Sequence, residues 1–449
     1  MTVAYSSYRN SGVLWAPNIP AHWDVRRIST LGRVGNGSTP SRSSTAYWGE
    51  SGTPWINSGT VHQGVVTKSP RWVTQIAIKE CHLPIVPRGA VVIALTGQGK
   101  TRGTAAVLGV DSTISQHLAY IDVKRSLISG EYLRFALMAA YDMLRTISDS
   151  AGGTKGALTC SAVKYFSVML PPIAEQSQIV TYLQAQDARI ARFIKGKREI
   201  IGLLIEQKLR IIDHAVTRGL DASVKLKPSG IEWLGEVPEH WGVKRLKWVC
   251  RFAYGDSLSE TSRHGGSVIV YGSNGPVGRH DMANAIGSCI VIGRKGSFGK
   301  INYSESDLFA IDTTYFVDKR CTKENIRWLY YVLIWCRLDK ISKDSAIPGL
   351  DRRDALDTFV PVPGVTEQEK IAEWLDVETA EINEAISCVE EEIRLIREYR
   401  DRLIFDVVTG QVDVRGWQPG PDDVVSDDDL AALNDDEAEP NEEGGDDDA

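Results

Sequence analysis

Ile173, Ala174, Glu175, Gln176, Ser177, Gln178, Ile179, Val180, Thr181, Tyr182 and Leu183 open a stretch that runs to Val216, and the chain repeats it from Val365 to Val408. A shift of 192 carries Pro171, Glu175, Gln176, Ile179 and Leu183 onto Pro363, Glu367, Gln368, Ile371 and Leu375. Alternating steps of three and four from Val180 pass through Leu183, Asp187, Ile190, Ile194, Lys197, Ile201, Leu204, Lys208, Ile211 and Ala215; eight of the eleven are apolar. The matching positions from Ala372 to Val407 are apolar at nine of eleven. An apolar period of 3.5 residues held over about five heptads marks a coiled coil. A lone helix of this kind would leave its stripe in water, so each copy is expected to be the other's partner.

A second repeat lies upstream of each helix. Gly12, Trp15, Pro20, His22 and Trp23, shifted by 218, become Gly230, Trp233, Pro238, His240 and Trp241. The order is therefore opening motif, globular segment, long helix, and the same again. A duplicated chain predicts an approximate two-fold relation between its halves. The two shifts, 218 and 192, differ, so the frames agree while the globular contents have diverged. His22 and His240, each beside a repeated Trp, read as parts of the frame.

Each globular segment holds short β-type runs broken by Gly and Pro. Strands are expected near residues 90–95, 104–108, 119–123 and 163–170, then near 268–271, 289–292, 301–303, 315–317 and 359–362, with one helix in each segment at 130–147 and 323–338. The fold class is α+β (mixed α/β). The expected divisions are a first globular domain at 1–170 with its opening motif at 12–28, a first long helix at 171–221, a second globular domain at 222–361 with its opening motif at 230–246, a second long helix at 362–417, and an acidic tail at 418–449. Thr366 with Glu369 fits a capping box at the start of the second long helix; Ala174 leaves the first without one.

Charge is unevenly spread. Fourteen acidic residues and no Lys or Arg follow Trp417. Without that tail, 51 basic residues face 44 acidic ones. By composition the tail reads as a disordered extension, either solubilising or a mimic of DNA charge. The seven cysteines form no CxxC pair, which excludes a zinc ribbon and reads as reduced thiols in a cytoplasmic protein. No apolar run is long enough to span a membrane, and no GxSxG or HExxH motif appears.

Ala94, Leu95, Thr96, Gly97, Gln98, Gly99, Lys100 and Thr101 approach a phosphate-binding loop, with Gly99, Lys100 and Thr101 at its end. Ala94 stands where that loop needs glycine, and the residues after Lys100 read as a turn into a strand. A shift of 198 matches Gly89 to Gly287, and the second copy of the loop, Gly293 to Lys300, fits no nucleotide motif. Two basic glycine loops in matched places suit a backbone that must approach another backbone. Lys and Arg then serve phosphates, Arg serves guanine, and Asn and Gln serve adenine. The candidate DNA-contacting residues are Ser38, Thr39, Arg42, Gln98, Lys100, Arg102, Gln116 and Lys155 in the first segment. In the second they are Ser273, Asn274, Arg294, Lys295, Ser297, Lys300, Thr313, Arg352 and Arg353.

The twin Trp…Pro-x-His-Trp openings, the Pro-xxx-Glu-Gln helix starts and the ends before Asp221 and Asp413 together resemble the specificity subunit of type I restriction–modification systems, over nearly all of residues 12–417. Gly37 to Pro40, Tyr47 to Gly49 and Pro54 to Ile56 resemble one class of target recognition domain. Tyr271 to Gly275 and Gly293 to Ser297 resemble another. The resemblance implies two recognition domains, each reading half of a split, asymmetric site in double-stranded DNA. It implies an antiparallel coiled coil that spaces them and docks two methyltransferase subunits and, in the full enzyme, two restriction/translocase subunits. It implies no catalytic site, metal or cofactor in this chain; AdoMet, ATP and Mg would belong to the partners. As a helix, Val180 to Ala215 would be roughly 54 Å long, against ~34 Å per DNA turn. Two other readings stay open: a P-loop nucleotide-dependent enzyme using Gly99, Lys100 and Thr101, and a DNA-binding coiled-coil scaffold without restriction partners.

Overall fold

The structure, a computed structural model, describes residues 4–97, 99–150, 156–263, 265–341, 349–421, 423, 426 and 433. The chain packs into two compact units, one of Met1–Glu199 with Glu390–Ala449 and one of Ile200–Val389. The border crosses both long helices, Ile173–Arg218 and Val365–Val408. Among the described residues, no helix is long and apolar enough to cross a membrane.

The first unit is built on a five-stranded sheet. Its strands are β1 (Gly32–Asn36), β2 (Val65–Val66), β3 (Val91–Ala94), β4 (Ala105–Leu108) and β5 (Leu118–Val123), in the order β1-β5-β3-β4-β2. Only the β4–β2 pairing is parallel. β3 and β4 are buried throughout, as their unbroken apolar runs require. Helix Gly130–Ala139 lies against one face with Tyr132, Leu133, Phe135 and Ala136 buried.

The second unit repeats the plan. β6 (Ala253–Tyr254), β7 (Cys289–Gly293), β8 (Ile301–Ser304) and β9 (Thr314–Val317) form an antiparallel sheet in the order β6-β9-β7-β8. Helix Ile326–Trp335 covers it with Trp328, Tyr331 and Val332 buried. The halves diverge outside this shared plan. There the first unit inserts a four-stranded sheet with helix Gln75–Glu80, and the second a three-stranded sheet containing Val268–Gly272, Gly275–His280 and Leu308–Ala310.

The repeated motifs close each unit in the same way. The strand of the opening motif, Asp24–Arg27, pairs with Ser167–Leu170, just ahead of the first long helix. Its counterpart Gly242–Arg245 pairs with Phe359–Val362. Glu175 accepts hydrogen bonds from Tyr5 Oη (2.5 Å) and Trp23 Nε1 (3.1 Å) and contacts His22 Nε2 (2.9 Å). Glu367 accepts from Trp241 Nε1 (3.0 Å) and contacts His240 Nε2 (2.9 Å). The adjacent glutamines hold the covering helices. Gln176 Oε1 accepts from the N–H of Ser129 (3.0 Å), and Gln368 Oε1 from that of Asn325 (2.9 Å). Ser129 and Asn325 are the N-caps of those helices. One Glu-Gln pair therefore ties the opening motif, the sheet cover and the long helix together.

Within each unit the long helices run antiparallel. Arg400 pairs with Asp187 (2.7 Å) and Lys197 with Glu392 in the first unit, and Lys208 Nζ donates to Asn383 Oδ1 (2.7 Å) in the second. Seam residues such as Leu183, Ile194, Leu375 and Val407 are buried, whereas Ile201, Leu204, Ile386 and Val389 are half-buried. A two-helix coil offers no third element to cover its seam away from the globular parts.

Several local expectations need correction. Residues 160–165 form a helix, because Thr159 Oγ1 accepts from the N–H of Ala162 (3.0 Å), and the strand starts only at Ser167. The helix expected at 130–147 is two, separated at Ala140, where ψ is 8°. The helix expected at 323–338 is the shorter Ile326–Trp335, and residues 338–340 form a 3-10 turn. Thr366 already lies inside its helix, so it caps nothing; the carbonyl of Gly364 takes the N–H groups of Glu367 and Gln368 instead. The tail does not leave the fold at residue 418. Trp417 packs edge-on against Tyr182 (5.2 Å), and buried Asp423 pairs with Arg189 (2.6 Å). Beyond residue 421, all but three tail positions lie outside the described residues.

Candidate nucleic-acid interface

The strand register sends the singled-out loops to one end of each sheet. In the first unit Asn36 pairs with Ala119, Ala94 with Leu118, and Ile93 with Ala105. The loops after β1, between β3 and β4, and before β5 thus emerge together. In the second unit Tyr254 pairs with Tyr315, Gly293 with Thr314, and Ile292 with Ile301. The loops after β6, between β7 and β8, and before β9 emerge together there.

The second unit's loop end is knitted by its backbone. The N–H groups of Arg294 and Lys295 both donate to the Thr313 carbonyl (2.9 and 3.2 Å), and Leu350 N–H donates to the Arg294 carbonyl (3.0 Å). Ser273 Oγ also reaches the Thr313 carbonyl (2.6 Å). Lys300 Nζ donates to the carbonyl and side chain of Asn274 (2.9 and 2.7 Å). Gly293 meets Ser297 at a distance no Cβ could occupy (2.1 Å from an ideal Cβ to the carbonyl), and Gly296 takes φ +69°. Around this loop the Arg294 guanidinium lies 5.2 Å from the Tyr254 ring and that of Arg352 5.3 Å from the same ring. Tyr254 is half exposed and meets Tyr315 edge-on (5.1 Å). Burial, more than Tyr254 beside it, pushes the Tyr315 phenol up.

The first unit's loop end is less charged. Thr96 Oγ1 contacts His117 Nδ1 (2.8 Å), and Thr101 Oγ1 contacts His62 Nε2 (3.3 Å). His62 Nδ1 and Ser115 Oγ are buried without partners among the described residues. Ser38 is half-buried and its carbonyl accepts from Trp55 Nε1 (3.2 Å). Gly37 lies on the Ile114 carbonyl, where no Cβ would fit.

The candidates fall into three groups. Arg42, Lys100, Gln116, Asn274, Lys295, Ser297, Lys300 and Arg353 are exposed, and Ser38, Thr39, Arg294, Thr313 and Arg352 are half-buried at the loop ends. Gln98 and Lys155 lie outside the described residues. Arg102 and Ser273 are corrections. Arg102 is buried and pairs with Asp149 (2.5 Å), and buried Ser273 is spent on the Thr313 carbonyl, so both build the loops rather than face outward. Tyr254 and His62 escaped sequence reasoning. Asn36, which the 218 shift places opposite Tyr254, was the only signal for it.

The phosphate-loop alternative fails on topology. Residues 95–104 join two antiparallel strands, where a nucleotide loop needs a strand passing into a helix. The Lys100 carbonyl is held by Tyr141 Oη (3.0 Å) and Thr104 Oγ1 (2.8 Å). In the second unit burial pushes the Cys289 and Cys336 thiols up to about 12.

Comparison with known proteins gives a consistent result. A 247-residue stretch is 30% identical to the MjaIX type I restriction enzyme specificity subunit of Methanocaldococcus jannaschii, covering 54% of this chain and 55% of that one. A 176-residue stretch is 23% identical to the EcoR124I/EcoR124II specificity subunit of Escherichia coli, covering 38% and 43%. The chain thus spans about half the length of the curated relatives it matches. A chain solved in work on complex assembly and conformational transition of the type I R-M system superposes with a TM-score of 0.54 at 16% identity, over 88% of this chain and 99% of that one, a likeness of fold. The model of the type I restriction modification DNA specificity domain matches residues 20–201 and again 238–391, more than half of the chain, and the protein therefore belongs to that family.

Proposed function

We propose that this chain is the non-catalytic, sequence-reading subunit of a type I restriction–modification complex, acting on double-stranded DNA in the cytoplasm. The first recognition domain (1–170) reads one half of a split site and the second (222–361) the other. The long helices (171–221 and 362–417) carry two methyltransferase subunits and, in a restricting complex, two translocase subunits. AdoMet, ATP and Mg are bound by those partners.

One observation carries this reading. Two sheets that share an order of four strands present, at the same end, loops of different residues: Arg294 and Arg352 on Tyr254 in one, Thr96 on His117 with Arg145 tied to the Gly99 carbonyl in the other. Equivalent scaffolds with unlike loops suit an asymmetric site. Arg42, Lys100, Lys295 and Arg353 are exposed to serve phosphates.

Methylation mapping of host DNA with and without the chain tests it. A bipartite, asymmetric methylated motif should vanish on deletion of the gene. Methylation that is indifferent to the deletion would refute the proposal.

A further inference from the structure

We infer that Arg294 and Arg352, both packed beside the ring of Tyr254, are a guanine reader in the second unit, so that the half-site this unit binds contains guanine. The inference rests on the DNA-reading function proposed above and adds a base identity to it.

A guanine is recognised in the major groove by a planar fork of donors aimed at O6 and N7. Such a fork must be held in plane, because a freely rotating guanidinium would lose side-chain entropy on binding. Tyr254 provides the hold. Both guanidiniums lie within 5.3 Å of its ring centre, inside the range of cation–π attraction. Arg294 is fixed further, by backbone bonds at both its N–H and its carbonyl and by Nη1 on the Asp312 carbonyl (3.2 Å).

The charges are also unspent. Neither arginine forms an ion pair among the described residues, unlike Arg320 on Asp318 or Arg327 on Asp376. Arg352 Nε is buried without an acceptor among the described residues, so contact with a base falls to its terminal amines. Phosphate contact alone would not need a stacked pair, and Lys295, exposed beside them, can serve that purpose. The first unit's loop end has Thr96 on His117 in the matching place, and its Arg145, 6.0 Å from the Tyr141 ring, is tied to the Gly99 carbonyl (2.7 Å), so the paired guanidiniums belong to one half-site.

The test uses the full-length chain with its methylating partners and a library of random duplexes, for the wild type, Tyr254→Phe and the double variant Arg294→Lys with Arg352→Lys. Lysine keeps the charge and loses the fork. The double variant should keep its melting temperature and the salt dependence of non-specific binding. Its preference for guanine at one or two positions of a single half-site should fall roughly tenfold or more. Tyr254→Phe should retain the preference. A wild type that selects no sequence would sink the parent reading. A wild type that selects a split site without guanine in the affected half, or a lysine variant with unaltered preference, would overturn this inference alone.

Discussion

At the scale of single residues, the two frame glutamates are alike in sequence and unequal in burden. Glu175 is buried and receives three side chains; Glu367 is one-third exposed and receives two. Removing an acceptor from buried donors costs about 1–3 kcal/mol, less where water can replace it. Glu175→Ala should therefore destabilise its unit by about 2 kcal/mol and Glu367→Ala by about 1 kcal/mol. Urea titration of both variants checks the order, and an equal or reversed pair of midpoints would contradict it. These residues were legible because the duplication repeats His, Trp, Glu and Gln at fixed spacing. Tyr254 was not, since one tyrosine before a glycine has no pattern, and Arg102 misled because charge in a sequence carries no direction.

At the scale of elements, the seam was visible but the partners of its polar positions were not. Asp187 and Arg400 are far apart in sequence, and only the antiparallel pairing brings them together. Their repeat-related positions, Thr379 and Lys208, do not form such a pair: Thr379 Oγ1 bonds to its own helix at the Leu375 carbonyl (2.7 Å). The Asp187–Arg400 pair thus sets register in one unit only. Arg400→Leu should strand a buried carboxylate and cost about 3 kcal/mol, while Asp187→Leu with Arg400→Leu should recover most of that loss. Thermal melts of the single and double variants measure this, and additive losses would count against it. Lys208 pairs with no carboxylate among the described residues, and burial, with Arg327 adding to it, holds its ammonium below the usual lysine value of 10.5. The unfolded chain then binds that proton more tightly, so stability should rise as pH climbs through the window below 10.5. Lys208→Met should be more stable than the parent at pH 7, with the advantage shrinking at alkaline pH. A gain that does not vary with pH would point to packing instead.

At the scale of the whole molecule, the diverged interiors within duplicated frames predict modular reading. Replacing residues 29–170 with the matching segment of another family member should change one half of the methylated motif and leave the other. Methylation mapping would show it, and a change in both halves would refute modularity. The fold class and the frame could be read because apolar periodicity and repeated motifs are local signals. The strand at 268–271 of the second inserted sheet was legible, but the first unit's inserted sheet was not, because strands of two residues such as Trp48–Gly49 and Trp72–Val73 carry too little alternation to stand out.

The border through both long helices also imposes an order of events during synthesis. Ile200–Val389 is one continuous stretch, so the second unit can complete itself as it leaves the ribosome. The first unit cannot, because its packing needs Leu403, Ile404, Val407 and Val408, made only after the whole of the other unit. Until then its helix carries an open apolar stripe, and closing it means joining ends separated by an entire folded body. A chain broken off before residue 390 would leave one finished half attached to one unfinished half, the half that proteases and chaperones would meet first.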